Sequence, residues 1–343
     1  MPRPVRDLPK AHLHLHFTGS MRVETLRELA EKHGIRLPES LMASWPPRLS
    51  ARDERGWFRF QRLYDAARAC VRDEADMRRI VREAAEDDTA EGSRWLEIQV
   101  DPTSYAPFVG GITPAIEIVL DEARAASARG GAQVTVIVAA SRIRHPLDAR
   151  TLARLAAQYA GEGPGEVVGF GLSNDERRGV TEEFARAFQI ARHAGLALVP
   201  HAGELLGPAA VETTLESLWP DRLGHGVRSA EDPRVLEMVA ESGVALEVCP
   251  GSNVALGVYG AASEVPLRTI TQAGIPVALG ADDPLLFGSR LAAQYEIARE
   301  ALGFSDAELA TLARGSLEAS RAPESLRKSA RDDIDAWLAS PGA

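Results

Sequence analysis

Histidines, acidic residues and one cysteine end several short apolar runs that lie far apart along the chain. These residues are His14, His16, His201, Glu204, His225, Cys249, Asp282 and Asp283. Imidazole and carboxylate groups are the ligands of catalytic zinc, and they are also common proton carriers in enzymes. A metal ion bound in this way keeps one position open for water and lowers the pKa of that water toward about 7. The residue types therefore predict a metal-assisted hydrolase.

The spacing within each motif indicates which side chains can share one site. On a strand, His14 and His16 point to the same face, because side chains alternate with a period of two. His201 and Glu204 are three residues apart, so one can bind metal while the other faces a substrate. Taken singly, each motif also fits a structural role, either as hydrogen-bonded core histidines or as a helix cap for the aspartate pair. The coincidence of several such strand ends favours the metal site.

Residues so distant in sequence meet only if the fold closes on itself. Eight apolar runs alternate with segments of helical periodicity, and the runs are rich in Val, Leu and Ile, as in strands buried on both faces of a parallel sheet. The predicted strands are residues 12–17, 94–100, 133–140, 166–172, 196–201, 222–225, 245–249 and 276–280. This alternation predicts an α/β fold, a (β/α)8 TIM-type barrel, whose strands end on one common face.

The segment 21–71 after the first predicted strand is too long for a single crossover helix. It carries Trp57, Phe60 and Tyr64 at helical spacing. Aromatic residues at this spacing are usually core residues, but their place after the first strand also fits an inserted helical lid over the active-site mouth. Residues 305–338 predict two closing C-terminal helices. No repeat or interdomain linker is recognisable, so residues 1–343 are predicted to form a single domain.

The composition of the chain limits its partners. With 39 basic and 49 acidic residues among 343, the net charge is −10, so nucleic acid is not an expected partner. Two cysteines, Cys70 and Cys249, provide no disulfide framework, and neither a signal sequence nor a membrane-spanning apolar run is recognisable. We therefore expect a cytoplasmic enzyme that acts on a small molecule away from the membrane. The sequence does not indicate its oligomeric state.

Six motifs, taken in order, resemble successive signatures of the adenosine deaminase family. They are KAHLHLHFTGS, GFGLSNDE, PHAGE, DRLGHG, EVCPGSN and ALGADDPLLF. The similarity extends over roughly residues 8–330. It implies a zinc-dependent barrel of the amidohydrolase superfamily, with one Zn²⁺ per chain and a purine nucleoside as substrate. The metal ligands that it implies are His14, His16, His201 and Asp282.

The same resemblance implies roles for the remaining polar residues. Glu204 would protonate the purine ring nitrogen beside the attacked carbon and so make that carbon electrophilic. His225 would orient the attacking hydroxide and stabilise its charge, while Asp283 would hold the hydroxide and contact the purine. Binuclear amidohydrolases often bridge two metals with a carboxylated lysine on strand four. None of the three lysines lies on a predicted strand, so one metal ion is expected.

Two positions depart from the family pattern on the substrate side. Thr18 replaces an aspartate that family members use near the ribose 5′-hydroxyl, and Asn174 replaces a glycine whose backbone N–H meets the purine. Loss of a carboxylate removes repulsion against an anionic 5′ substituent. Arg59, Arg62 and Arg68 of the inserted segment are suited to bind such a group, although a solvated helix face explains any one of them more simply. The predicted substrate-binding residues are His16, Thr18, Asn174, Asp283, Arg59 and Arg62.

These departures keep the chemistry and leave the substrate open. The sequence HFTGSMR resembles a subgroup that converts 6-amino-6-deoxyfutalosine to futalosine and ammonia in menaquinone biosynthesis, and this is the favoured hypothesis. The alternative is an adenosine deaminase of purine salvage, or an adenine deaminase if no sugar is recognised. A catalytically inactive binding protein on the same scaffold is a third hypothesis, against which the intact Glu204, His225 and Asp283 argue.

Overall fold

The sheet of this protein confirms the predicted α/β barrel. A computed structural model describes residues 2–42 and 45–340. Within them, eight parallel strands follow one another in chain order around a nearly closed barrel. The strands are β1 (Lys10–His16), β2 (Ser93–Val100), β3 (Gln133–Ser141), β4 (Val167–Ser173), β5 (Ala197–Ala202), β6 (Arg222–His225), β7 (Ala245–Val248) and β8 (Val277–Leu279). Every predicted strand lies within about two residues of an observed one, because runs that are buried on both faces are apolar throughout.

The barrel closes where β1 meets the chain just beyond β8. Asp282 donates its backbone N–H to the carbonyl of His14 (2.9 Å), and its own carbonyl accepts from the N–H of His16 (3.0 Å). Leu15 and Asp282 thereby form an isolated parallel bridge. The seam of the barrel therefore passes through a residue that the sequence predicts as a metal ligand.

Helices pack around the sheet and connect its strands. The helices are α1 (Val23–Lys32), α2 (Glu39–Met42), α3 (Glu54–Arg68), α4 (Glu74–Ala90), α5 (Ala106–Val109), α6 (Ile112–Ala128), α7 (Pro146–Gln158), α8 (Ala185–His193), α9 (Pro208–Leu218), α10 (Pro233–Ser242), α11 (Pro250–Ala255), α12 (Leu267–Gln272), α13 (Pro284–Phe287), α14 (Leu291–Glu300), α15 (Asp306–Ala319) and α16 (Glu324–Ala339). The last two match the predicted closing helices. No helix of the described residues has the length and apolar character needed to cross a membrane.

The segment inserted after β1 contains α1, α2 and α3. Helix α3 begins after Asp53, whose carboxylate accepts from the N–H of Gly56 (2.7 Å) and so satisfies one free donor of the first turn. Phe60 stacks on Phe287 of α13, with ring centroids 5.9 Å apart, and lies 5.0 Å from the ring of Trp57. These aromatic contacts hold α3 against the chain that follows β8, at the carboxyl end of the barrel.

One inference about lysine is corrected by the structure. Strand β1 begins two residues earlier than the predicted run, so Lys10 does lie on a strand. It occupies the amino end, where its ammonium donates to the carbonyls of Val5 (2.8 Å) and Leu8 (2.7 Å) and lies 5.2 Å from the ring centroid of Tyr295. Strand β4, where a bridging lysine would have to lie, contains none.

Candidate active site

The four predicted metal ligands converge at the carboxyl end of the barrel. His16 Nε2 lies 3.2 Å from His201 Nε2 and 3.2 Å from Asp282 Oδ1, while His14 Nε2 lies 3.6 Å from the same carboxylate oxygen. Among the described residues, the buried Nε2 of His14 has no hydrogen-bond partner. A buried imidazole nitrogen without a partner, beside a carboxylate and two further imidazoles, fits a divalent ion with the nitrogen and oxygen ligands that zinc takes.

A buried network of hydrogen-bonded charged groups orients the imidazole of His14. The Nδ1 of His14 lies 2.8 Å from Glu247, and Arg222 donates to the same carboxylate at 2.6 Å and to Glu97 at 2.5 Å. Arg222 also donates to the carbonyl of Ala319 (2.9 Å), the last residue of α15. A carboxylate on one ring nitrogen fixes the tautomer of a histidine, so that its other nitrogen is free to bind metal. Glu247 thereby turns Nε2 of His14 toward the cluster.

Burial sets the protonation of the groups around the cluster. It raises the pKa of Glu204 well above the usual value, and the negative charges of Asp282 and Glu176 raise that pKa further. Burial and Asp282 also raise the pKa of Asp283. For the imidazole of His225, burial has the opposite effect and lowers the pKa to about 3. The raised pKa favours the protonated form of Glu204, and the lowered pKa favours the neutral imidazole of His225.

The carboxylate of Glu176 holds four consecutive backbone N–H groups. Its Oε1 accepts from Gly203 (2.6 Å), and its Oε2 accepts from Glu204 (3.1 Å), Leu205 (2.8 Å) and Leu206 (2.9 Å). Glu176 is itself buried. Since these residues form the loop that carries Glu204, the buried carboxylate fixes how the catalytic candidate faces the site. Glu176 ends the GFGLSNDE motif, and no role is predicted for it from the sequence.

Three residues of the site have a left-handed backbone. The φ angle is 81° at Asn174, 64° at His225 and 62° at Asp282, and among the described residues Trp219 is the one other non-glycine with positive φ. Such angles are uncommon outside glycine and are concentrated at functional sites. Asparagine is one of the few residues that tolerate this conformation. Asn174 can therefore adopt a left-handed backbone at a position where the family pattern has glycine.

A cavity opens above the cluster and contains about 790 Å³ of empty space, part of which is open solvent. The hydroxyl of Thr18, a predicted substrate contact, lies in its wall, and its Oγ1 is 2.6 Å from the hydroxyl of Tyr105. Other predicted site residues that line it are His16, Asn174, His201, Glu204, His225, Asp282 and Asp283. The structure thus brings three of the four candidate metal ligands, the candidate acid and most of the predicted substrate contacts to one cavity, while His14 lies buried behind it.

Arg59 and Arg62 do not line this cavity, contrary to the prediction. Both are exposed on α3, whereas Arg68 lines the cavity and donates to Ser104 Oγ (3.2 Å). An α-helix turns by roughly 100° per residue, so the two exposed arginines lie on the face of α3 opposite to Arg68. The other residues of α3 that line the cavity are Trp57, Phe60, Gln61 and Tyr64.

Two residues that line the cavity lie outside the six sequence motifs. Gln99 lies near the carboxyl end of β2 and is 2% exposed, and Ser141 ends β3 and is 9% exposed. Among the described residues, Nε2 and Oε1 of Gln99 have no hydrogen-bond partner. The same is true of the hydroxyl of Ser141. The signal for Gln99 was a row of polar residues with a period of two, Glu97, Gln99 and Asp101, which a strand places on one face.

Comparison with known proteins places the chain in a family. The family model described as adenosine deaminase matches residues 9–337. A protein of Streptomyces virginiae, provisionally named an adenosine/adenine deaminase, is 62% identical over 336 residues, which are 98% of either chain. An adenine deaminase of Sinorhizobium medicae is 38% identical over 323 residues, covering 94% of this chain and 96% of its own. The crystal structure of an adenine deaminase from Arthrobacter aurescens is 29% identical, with a TM-score of 0.87 and coverage of 97% of this chain and 99% of that one.

Proposed function

The chain belongs to the adenosine deaminase family and is an aminohydrolase, and we propose that it catalyses hydrolytic deamination of a 6-aminopurine, either adenine or adenosine. One observation carries this proposal: the buried carboxyl of Glu204, whose pKa is raised by burial, lines the same cavity as His16, His201 and Asp282. Relatives named adenine deaminase and adenosine/adenine deaminase, at 38% and 62% identity, support the choice of purine.

We assign one divalent ion, zinc by its ligand set, to His14, His16, His201 and Asp282. When bound, such an ion lowers the pKa of a coordinated water toward about 7 and so supplies a nucleophile near neutral pH. The geometry of the chain supports this assignment, because Glu247 holds Nδ1 of His14 and leaves Nε2 facing the other ligands. Carboxylate support of a ligating histidine is a common feature of zinc sites.

Residues of the chain then transfer the protons of the reaction. Glu204 donates its proton to the ring nitrogen N1, which makes C6 of the purine electrophilic. The oxygen of water bonds to C6, one proton of that water returns to Glu204, and the other goes to the amino group. The bond between C6 and the amino nitrogen then breaks, which releases ammonia and leaves a 6-oxopurine that retains the proton on N1.

His225 and Asp283 are proposed to position the reactants. The Nε2 of His225 lies 3.6 Å from a carboxylate oxygen of Glu204, so a neutral imidazole there can hold the attacking water beside the acid. Asp283 follows Asp282 directly, and among the described residues its Oδ1 is buried without a partner. We propose that the carboxyl of Asp283, whose pKa burial raises, donates a hydrogen bond through this oxygen to N7 of the purine.

A direct assay tests the proposal. Purified protein loaded with zinc is incubated with adenine, adenosine, 2′-deoxyadenosine and 6-amino-6-deoxyfutalosine, and both ammonia release and conversion to the 6-oxopurine are measured. We expect deamination of adenine or adenosine, and its loss in Glu204→Gln protein. A protein that binds zinc fully and deaminates none of the four compounds would refute the proposed function.

A second candidate substrate is 6-amino-6-deoxyfutalosine, which would place the enzyme in menaquinone biosynthesis. It is supported by Arg68, since this arginine does line the cavity and can bind a carboxylate bidentately. Arg68→Gln should then reduce kcat/KM for this nucleoside and leave that for adenine unchanged, with Arg59→Gln as the matched control on the exposed face of α3. A preference of the unaltered protein for adenine or adenosine excludes this candidate.

A further inference from the structure

Strand β2 presents a buried amide to the cavity for which the proposed function has no use. Gln99 pairs in register with His16 of β1, so it lies at the same level of the barrel as that candidate ligand, on the neighbouring strand. It lines the cavity at 2% exposure, and both its Nε2 and its Oε1 lack a partner among the described residues. Leaving a buried polar group unpaired is unfavourable, so an amide retained here fits a ligand that supplies one acceptor and one donor.

The place of Gln99 in the barrel indicates which edge of a purine it meets. The candidate metal ligands come from β1, β5 and the chain after β8, whereas Gln99 and Ser141 lie on β2 and β3, an arc without ligands. If C6 faces the metal centre and N1 faces Glu204, the opposite corner of the six-membered ring is N3. Beside N3 lies N9. The arc of β2 and β3 therefore faces the N3 and N9 edge.

Free base and nucleoside differ at this edge. In adenine, N3 is an acceptor and the neighbouring N9–H is a donor, and an amide pairs with both at once through its N–H and its carbonyl. In adenosine, N9 carries the sugar, so the amide oxygen would lose its donor. We propose that Gln99 reads the N3 and N9–H edge and makes the free base adenine the substrate of this site, an inference that rests on the proposed deaminase function.

The wall beside Gln99 supports this choice. Thr18 stands where the family pattern has an aspartate for the ribose 5′-hydroxyl, and its hydroxyl is already bonded to the hydroxyl of Tyr105 at 2.6 Å. Both residues are buried, at 1% and 3% exposure. Tyr105 in turn packs on the ring of Phe17, with centroids 5.1 Å apart. The hydroxyls of Thr18 and Tyr105 therefore satisfy each other, and neither side chain offers a sugar hydroxyl the carboxylate that the family pattern has at position 18.

Methylated adenine provides the test, because 9-methyladenine removes only the N9–H donor. For the unaltered protein, we expect kcat/KM for adenine to exceed that for 9-methyladenine and for adenosine by at least about 10-fold, since sites built to bind a donor discriminate strongly against analogues that lack it. Gln99→Met keeps the length of the side chain without its amide. In that variant, kcat/KM for adenine should fall and the ratio of adenine to 9-methyladenine should approach one.

Gln61→Met is the matched control. Gln61 lines the same cavity, but its amide already donates to Asp65 (2.9 Å), so the ratio should stay at the unaltered value. Equal use of adenine and 9-methyladenine by the unaltered protein overturns the inference about Gln99 and leaves the deaminase proposal standing. An unchanged ratio in Gln99→Met shows that the methyl group is rejected by size alone, which also overturns it. Absence of activity on every 6-aminopurine refutes the deaminase proposal itself.

Discussion

At the scale of single residues, the candidate centre contains two carboxyl groups whose pKa values are shifted in opposite directions. Burial and neighbouring acids raise the pKa of Glu204, whereas Glu247 has a lowered pKa because Arg222 and His14 outweigh the effect of burial. One group can donate a proton, and the other carries a fixed negative charge behind a histidine. Glu204 has a role predicted from its motif, whereas Glu247 opens the EVCPGSN motif without one, because the environment that separates their roles is formed only by the fold.

The acid role of Glu204 predicts the outcome of a conservative substitution. Glu204→Gln keeps the size of the side chain but removes the proton donor, so kcat should fall on the order of 10²–10⁴-fold. Bound metal should stay at the level of the unaltered protein, because Glu204 is not among the proposed ligands. Turnover and metal content measured on the same preparation check this. Loss of the metal in this variant would mean that the roles within the HAGE motif are wrong.

Glu176 predicts a shift in the pH profile. Activity requires protonated Glu204, so it declines as pH rises through the pKa of that group. The negative charge of Glu176 contributes to raising this pKa, and its removal must lower it. The basic limb of kcat/KM against pH should therefore move to lower pH in Glu176→Gln, with reduced kcat because the loop at 203–206 loses its anchor. A variant with lower activity and an unmoved profile would contradict the electrostatic part of this prediction.

At the scale of elements, the positions of the strands could be predicted from the sequence. The face that α3 turns toward the cavity could not. The strands are apolar runs buried on both faces, so their positions could be read directly from the sequence. The face that α3 turns toward the cavity depends on its packing against α13, where Phe60 meets Phe287. Residue type alone makes Arg59 and Arg62 candidates for the substrate, because the sequence does not reveal that packing. Gln99 was missed for a related reason: its importance lies in having no partner, which only coordinates show.

Gly19, in the turn after β1, leaves no room for a methyl group, so its substitution by alanine should lower activity. A Cβ at Gly19 would overlap the carboxylate of Asp283, so Gly19→Ala must displace that side chain. Displacement by about 1 Å in an active site can cost on the order of 10²-fold in rate, and we expect kcat/KM to fall by that amount. Gly207→Ala is the control, because its Cβ would make only ordinary contacts at 3.7 Å. Equal activity of both variants would show that the position of Asp283 is unimportant.

At the scale of the whole molecule, the barrel gathers groups from nearly the full length of the chain. His14 and Asp282 lie at opposite ends of the strand order and meet at the seam. The chain of Glu247, Arg222 and Glu97 continues from this point through the core to the end of α15. The centre is therefore supported by the barrel and by its C-terminal helices together.

Metal binding should accordingly stabilise the fold. A ligand at 100 to 1,000 times its dissociation constant adds about 2.7–4.1 kcal/mol to the free energy of unfolding. We expect chelation to lower Tm by several degrees and abolish turnover, and one equivalent of zinc per chain to restore both. Asp282→Asn should remove the response of Tm to zinc. Two tightly held ions per chain, or full turnover without any, would contradict a single-metal centre.

The seam between β1 and the chain after β8 also governs when the centre can first exist during synthesis. The backbone of Asp282 supplies the hydrogen bonds that close the barrel, and its side chain is the last of the four proposed ligands to leave the ribosome. A nascent chain that ends before this residue has neither the closed barrel nor a complete ligand set. One residue therefore supplies both the closing hydrogen bonds of the barrel and the last proposed ligand, and we expect no deamination by a nascent chain that ends before Asp282.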